Sequence, residues 1–362
     1  MNVEIIIIGQ GLAGSLLALT LLKEGFEVVV IAENETHLSS RVAAGIANPI
    51  TGKRVVKTWL ADQLFSILPG FYAELETLLE AKFFYPKSIY KPFESVSEQN
   101  DCISKSGPDD YAQYMNITPD HEAYSKFIQN PLGGFEIKEG GYLDTNTFLD
   151  ATILYLQKNK RLFNQKVNVE DIILTENGVS IGAINASKLI FCEGHQATQN
   201  TYFNWLPFAP AKGEVLTIES DAIATENMIS RGVFILPIGN KKFRVGATYA
   251  WTFEDANPTQ KALEDLKTKL DEVITVPYTV SEHKAGIRPA TKYRRPFLGQ
   301  HPVHHQLGIF NGFGSKGVSL IPYFAKQYAA FLKNRAELLP EVNIEQYLSL
   351  YLKTKNPLEP ST

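Results

Sequence analysis

The sequence predicts an α/β chain: a doubly wound lobe joined to a second, strand-rich α+β lobe. Three observations carry this. VEIIIIGQGLAG, residues 3–14, sets a continuous apolar run before a glycine cluster. FEVVVIAE, residues 26–33, is a second such run one helix later, and it ends in an acid. Strand-like and helix-like patterns then alternate, broken by two stretches with a different character.

An unbroken apolar run is the pattern of a strand buried on both faces of a parallel sheet. LLALTLLKEG (16–25) reads as the connecting helix, with Gly25 free to end it in a left-handed conformation. Residues 58–82, TWLADQLFSILPGFYAELETLLEAK, read as helix interrupted near Pro69-Gly70. From 83 to 140 aromatic and polar residues mix with short strand-like pieces (FFYPKSIYKPF) and a loop at SKSGPDD, as in an insertion. TNTFLDATILYLQKN is an amphipathic helix. Residues 166–194 then carry several short strands with an Asn-Gly turn at 177–178. A second strand-rich region at 208–286 contains a hairpin (VFILPIGNKKFRVGATY) and a helix (PTQKALEDLKTKLDEVI). GIFNGFGSKGVSLIPYFAKQYAAFLKN gives a strand, a glycine turn and a closing helix. The expected nucleotide lobe is discontinuous, 1–82, 141–206 and 287–362, with a substrate lobe at 83–140 and 207–286.

The 362 residues, 44% hydrophobic and 20% charged, suit a globular protein with room for two lobes. A net charge of −4 gives no global attraction to nucleic acid or anionic membrane. Two distant cysteines, Cys102 and Cys192, rule out a disulfide framework and fit a reducing compartment. The N-terminus enters a strand without a signal-peptide pattern, and no apolar stretch is long enough to span a membrane. A cytoplasmic setting without a membrane partner is expected, which makes the Asn-x-Thr at Asn34 uninformative. The histidines of HPVHH (His301, His304, His305) lack companion ligands, so no metal is expected and the stretch reads as surface loop.

Gly9, Gly11 and Gly14 match the dinucleotide fingerprint: tight turn, close backbone approach to a pyrophosphate, and close helix–strand packing. Leu12 and Ala13 complete the turn into the helix, whose free N–H groups suit an anion. Glu33, ending the second strand, can bind ribose hydroxyls. At this level FAD and NAD both remain open.

Further segments resemble the D-amino acid oxidase superfamily of FAD-dependent oxidoreductases, which includes glycine oxidase and sarcosine oxidase. SSRVAAGIANP (39–49) is similar to the family's segment under the flavin, which implicates Ser39, Ser40, Arg41, Ala44 and Gly45. GGYLDTNTFLDA matches the stretch before the third cofactor helix. NQKVNVEDI puts Val167 where the family contacts adenine, and LIFCEG puts Glu193 and Gly194 beside the cofactor. LPIGNKKFRVGATYAWTFEDANPT resembles the substrate-side hairpin, and GIRPATKYRRPFLGQHP with GFGSKGVSLIP resembles the closing motif. The resemblance implies a glycine oxidase-like fold and bound FAD. With no cysteine in the closing region, that FAD is expected to be non-covalent.

The closing motif has a physical reading of its own. Gly312, Gly314, Ser315, Lys316, Gly317 and Val318 place unhindered N–H groups, a helix start and a cation where negative charge on a reduced flavin would need stabilising. A nicotinamide enzyme has no use for this second turn, so FAD is the expected cofactor.

The resemblance aligns Arg288 with the arginine that grips the substrate carboxylate, a role suited to its planar, permanently charged fork. Tyr249 and Trp251 fall where relatives face the substrate, and Asn48 falls near the flavin ring. Arg288, Tyr249 and Lys316 are the catalytic candidates; Asn48, Tyr249, Trp251 and Arg288 are the substrate-binding ones. The expected reaction is oxidation of the C–N bond of a small amino acid or N-substituted glycine by hydride transfer to flavin N5, with oxygen or another acceptor taking the electrons. Two alternatives stand beside it. GSKG, with Arg41 after Ser39-Ser40, also resembles the oxidase domain that removes a carboxymethyl group from a modified tRNA base, and the cluster Lys53, Arg54 and Lys57 would suit an RNA backbone. The other is a non-catalytic flavin-binding redox partner.

Overall fold

The computed structural model describes residues 1–33, 39–52, 54–107, 109–176 and 178–355; Asn34, Lys53 and Asn177, singled out above, lie outside them. The first strand, Asn2–Ile8, lies in parallel between Val28–Ala32 and Ile184–Phe191. Ile5, Ile6, Ile7 and Ile8 are all buried, as a strand covered on both faces requires. Leu162–Asn164 extends this sheet on one side. On the other, Ile184–Phe191 pairs antiparallel with Gly178–Ile181 and parallel with Leu307–Asn311. The first helix, Leu12–Lys23, and the closing helix, Gly317–Leu332, both pack into the larger of the molecule's apolar cores. Gly25 has φ +88, the left-handed end expected of it.

A second eight-stranded sheet is built around the long strands Ala211–Glu219 and Thr279–Arg288. Val233–Pro237 and Lys242–Gly246 form the expected hairpin beside them. Ile89–Pro92, Gly134–Ile137 and Met115–Asn116, all from the aromatic stretch at 83–140, join this sheet and not the first. A separate core of Leu216, Ile218, Ile235, Val245, Leu266 and Leu270 supports it against the helix Gln260–Asp271.

Two expectations need correction. The helix Ala61–Leu79 runs through Pro69 without interruption. Proline removes one backbone donor, but Leu64, Phe65, Leu68, Phe71, Tyr72 and Leu75 form a buried face on both sides of it, and tertiary packing holds the helix together. The stretch HPVHH is irregular, with Val303 and His305 exposed, but His301 within it is 2% exposed and departs from the surface reading. Its ring packs on Tyr202 and Phe203, and Nδ1 accepts from the N–H groups of Val303 and His304 at 3.2 and 3.0 Å, so it caps the turn.

Candidate active site

One cavity of about 830 Å³ is lined by Glu33 and Val167 together with Arg288 and Tyr249. Gly9 opens it with φ +100, and a Cβ there would stand 2.6 Å from the Cys192 carbonyl oxygen. A Cβ on Gly14 would stand 1.9 Å from the Gly9 carbonyl oxygen, so this position fixes how closely helix and strand approach. Gly11, Leu12 and Ala13 line the cavity, and Ser40 Oγ accepts from Leu12 N at 3.0 Å. This is a ready cradle for a pyrophosphate.

The closing turn meets the same cavity. After the strand Leu307–Asn311, Gly312 and Gly314 adopt φ of +83 and +56, and the helix starts at Gly317. Gly317 lies against the first helix, since a Cβ on it would come 3.3 Å from Leu12 Cδ2. Asn311 Nδ2 donates to the Gly194 carbonyl at 2.9 Å, and Gly314 N donates to the Pro289 carbonyl at 3.1 Å. The closing turn is therefore bonded to the Gly194 loop and to Pro289, the residue that follows the strand ending in Arg288. Lys316 lines the cavity and donates to Thr58 Oγ1 at 3.3 Å. Burial, with Arg295 and Arg294 nearby, lowers its pKa from the ordinary lysine value.

Of the other cofactor candidates, Glu33, Ser39, Ser40, Ala44, Gly45, Val167, Glu193, Gly194, Ser315 and Val318 lie in the cavity wall. Gly14 and Gly312 shape the turns from behind it. Arg41 is also outside the wall: Nη1 pairs with Asp150 at 2.7 Å, which ties the Ser39–Val42 helix to the helix Thr145–Lys158. Burial pushes the Glu193 carboxyl up to about 7 against the hydrogen bond from Asn200 Nδ2, 2.7 Å from Oε2.

On the cavity wall Arg288 closes its strand with both terminal nitrogens 3.2 Å from the Thr248 carbonyl oxygen. Among the described residues no carboxylate is ion-paired with it. Burial lowers its pKa, opposed by Tyr249, whose ring centroid lies 5.0 Å from Cζ. Tyr249 is on the cavity wall; Trp251 stands behind it, edge to face at 4.9 Å. Asn48 lines the cavity while its Oδ1 accepts from Ile50 N at 3.0 Å, so it holds a turn as well. Lys57 pairs with Asp62 at 2.8 Å and does not line the cavity.

Four neighbours were missed in the sequence. A Cβ on Gly213 would stand 2.0 Å from Arg288 Nη2, so this glycine makes room for the guanidinium. Its signal was an isolated glycine in a strand pattern. Thr248 acts through its backbone carbonyl, Thr58 through its hydroxyl and Asn311 through its side-chain amide, contacts that leave no spacing signature. Among the described residues no group of His, Cys, Asp and Glu could hold a metal, and no helix is long and apolar enough to cross a membrane.

The glycine cradle, the acid that follows the second strand and a cavity of about 830 Å³ joining them fit a dinucleotide. The class that fold and site define is a dinucleotide-binding oxidoreductase. The sequence profile of the family described as FAD dependent oxidoreductase (DAO) matches residues 4–331, and the chain belongs to that family. Its cofactor is FAD. Glycine oxidase from Bacillus cereus superposes with a TM-score of 0.76 at 20% identity, covering 92% of this chain and 96% of that one. Iminodiacetate oxidase from Chelativorans sp. BNC1 gives 0.74 at 20% identity, covering 95% and 98%. In sequence, the bifunctional protein MnmC of tRNA 5-methylaminomethyl-2-thiouridine biosynthesis from Legionella pneumophila (strain Corby) is 24% identical over 94% of this chain. The chain spans 56% of that protein's length.

Proposed function

We propose that this FAD-dependent oxidoreductase oxidises the C–N bond of a small amino acid or N-substituted glycine. The observation that carries this is Arg288, a half-buried guanidinium on the cavity wall whose described partners are a carbonyl and a ring. Arginine in that state is short of an anion, and a substrate carboxylate supplies one bidentately. The division into an FAD lobe (1–82, 141–206, 287–362) and a substrate lobe (83–140, 207–286) belongs to the same reading.

In this reading Gly9, Gly11, Leu12, Ala13 and the helix N-terminus hold the pyrophosphate, Glu33 the ribose, and Val167 the adenine, without a covalent bond. FAD, when bound, supplies a two-electron acceptor that oxygen or another oxidant can regenerate. Arg288 fixes the carboxylate and so orients the α-C–H, which restricts the substrate to a reactive pose. Tyr249 and Asn48, both on the cavity wall, are the further substrate contacts of this reading. The amine is oxidised from its neutral form, so no strong side-chain base is required. Lys316 and the N–H groups of the closing turn supply positive potential where negative charge develops.

The test is product analysis. Glycine, sarcosine, iminodiacetate and D-amino acids are supplied in turn, and the oxo acid left by hydrolysis of the imine is measured. Glyoxylate from an N-substituted glycine supports the reading; no oxo acid from any of them contradicts it.

A second reading, a carboxymethylamino group carried on a tRNA base, is favoured by the relatives matched over 94% of the chain. The cavity mouth suits it: Tyr249 and Trp251 are 49% and 55% exposed, and Tyr293 with Lys292 lies near Arg294 and Arg295. Exposed rings beside arginines can stack an unpaired base. RNA binding that weakens steeply with salt distinguishes this substrate from a free amine. Family membership sets the non-catalytic reading aside.

A further inference from the structure

Lys212 and Glu214 flank Gly213 on the strand Ala211–Glu219. Gly213 and Val215 line the cavity, so the alternation of a strand sends Lys212 and Glu214 to the opposite face of the sheet. Both are buried there, 4% and 3% exposed, with the ammonium 3.6 Å from Glu214 Oε1. A buried ion pair is a poor source of stability compared with apolar residues of the same volume. What this one contacts suggests another use.

The contacts converge on one segment, Thr248–Thr259. Glu214 accepts from Thr259 N at 2.8 Å and from Thr259 Oγ1 at 2.9 Å. Lys212 Nζ donates to the Asn257 carbonyl and stands 3.7 Å from Asp255. The backbones of Lys212 and Ala250 exchange hydrogen bonds at 2.8 and 2.9 Å. Glu214 N donates to Thr248 Oγ1 at 2.9 Å, and Thr248 N donates to the Glu214 carbonyl at 3.2 Å. His283 Nε2 lies 2.9 Å from Glu214 Oε2, off the line of a hydrogen bond, and closes the pocket around the carboxylate. The segment held this way carries the Thr248 carbonyl that receives both Arg288 nitrogens and the Tyr249 ring beside Cζ.

We infer that Lys212 and Glu214 are positioning residues: from the back of the sheet they fix Thr248–Thr259 and, through the Thr248 carbonyl and Tyr249, the orientation of the Arg288 fork on the front. This rests on the reading of Arg288 as the carboxylate site. Losing the Lys212 ammonium frees Asn257 and Asp255, lets the segment move, and leaves Arg288 chemically intact but misdirected.

The test uses full-length holoprotein and a carboxylate that cannot be oxidised, benzoate, titrated against the visible spectrum of the bound flavin. Lys212→Met is expected to weaken benzoate and raise the KM for an oxidised N-substituted glycine by about tenfold. FAD content and kcat should change little, and Lys212→Arg should restore affinity. Thr259→Val removes one hydroxyl bond to Glu214 and serves if Lys212→Met fails to fold; a smaller weakening in the same direction is expected. Arg288→Met is the companion variant and must lose benzoate. Wild-type benzoate affinity in the Lys212 and Thr259 variants, with loss in Arg288→Met, overturns the positioning role alone. Wild-type affinity in all three overturns the carboxylate reading itself.

Discussion

Asn311 Nδ2 donates to the carbonyl of Gly194 at 2.9 Å, joining the closing glycine turn to the loop that backs the first one. The same side chain accepts from Gly312 N at 2.8 Å, and the Cys192 carbonyl two residues before Gly194 lies against Gly9. One buried amide therefore ties the closing turn to the loop that packs against Gly9. Asn311→Ala leaves these buried groups unsatisfied, a loss of about 1–3 kcal/mol. FAD retention after dilution should fall by tenfold or more, read from recovery of free-flavin fluorescence. Unchanged retention would show that the turns hold their spacing without it.

Two glycines separate folding from substrate binding. At Gly14 an added Cβ would meet the Gly9 backbone at 1.9 Å, and backbone cannot yield. Gly14→Ala should lose about 1–3 kcal/mol or more of stability and purify with little flavin. At Gly213 the clash is with the Arg288 guanidinium at 2.0 Å, the far end of a long side chain. Gly213→Ala should fold, keep FAD and lose carboxylate affinity. Thermal unfolding and flavin content check the first variant, and benzoate titration the second.

The Glu193 carboxyl makes stability depend on pH. Burial holds its folded pKa at about 7, against about 4.3 for an unfolded glutamate. Because the folded value is the higher one, the stabilising contribution is complete below the unfolded pKa and disappears as pH rises through the folded pKa. The change is on the order of 4 kcal/mol. Urea unfolding of wild type at acid and mildly alkaline pH should show the fall, and Glu193→Gln should flatten it. Parallel pH profiles for the two proteins would place the titration elsewhere.

Lys316 carries a charge that burial and the neighbouring Arg295 and Arg294 make harder to keep. Its pKa is depressed, so its contribution to flavin reduction should disappear at lower pH than for an ordinary lysine. Lys316→Met is expected to slow substrate-driven flavin reduction by about 10²-fold and to shift the flavin potential negative. Lys316→Arg should keep the rate and extend it to higher pH. Stopped-flow reduction across an alkaline pH series checks both.

What was legible in the sequence was local and periodic. The isoleucine run, the glycine triplet and Glu33 state a strand, a turn and a second strand within a few residues of one another, and these elements form as read. The closing turn was legible for the same reason. The course of the helix through Pro69 was not, because its apolar face decides against a local breaker only after folding. His301 read as surface because histidine-rich stretches usually are exposed, whereas here Tyr202 and Phe203 from a distant loop cover it. Gly213 and Thr248 were missed because each matters only through Arg288, which strand pairing brings to them from 75 and 40 residues away.

The most direct test of a carboxylate grip at Arg288 is anaerobic mixing of wild-type and Arg288→Met holoprotein with N-substituted glycines while the visible flavin band is followed. Wild type should bleach with at least one such amine, and the variant, with its FAD in place, should bleach only at far higher concentration. Bleaching at equal concentration in both proteins, or in neither with any carboxylate-bearing amine, would contradict it.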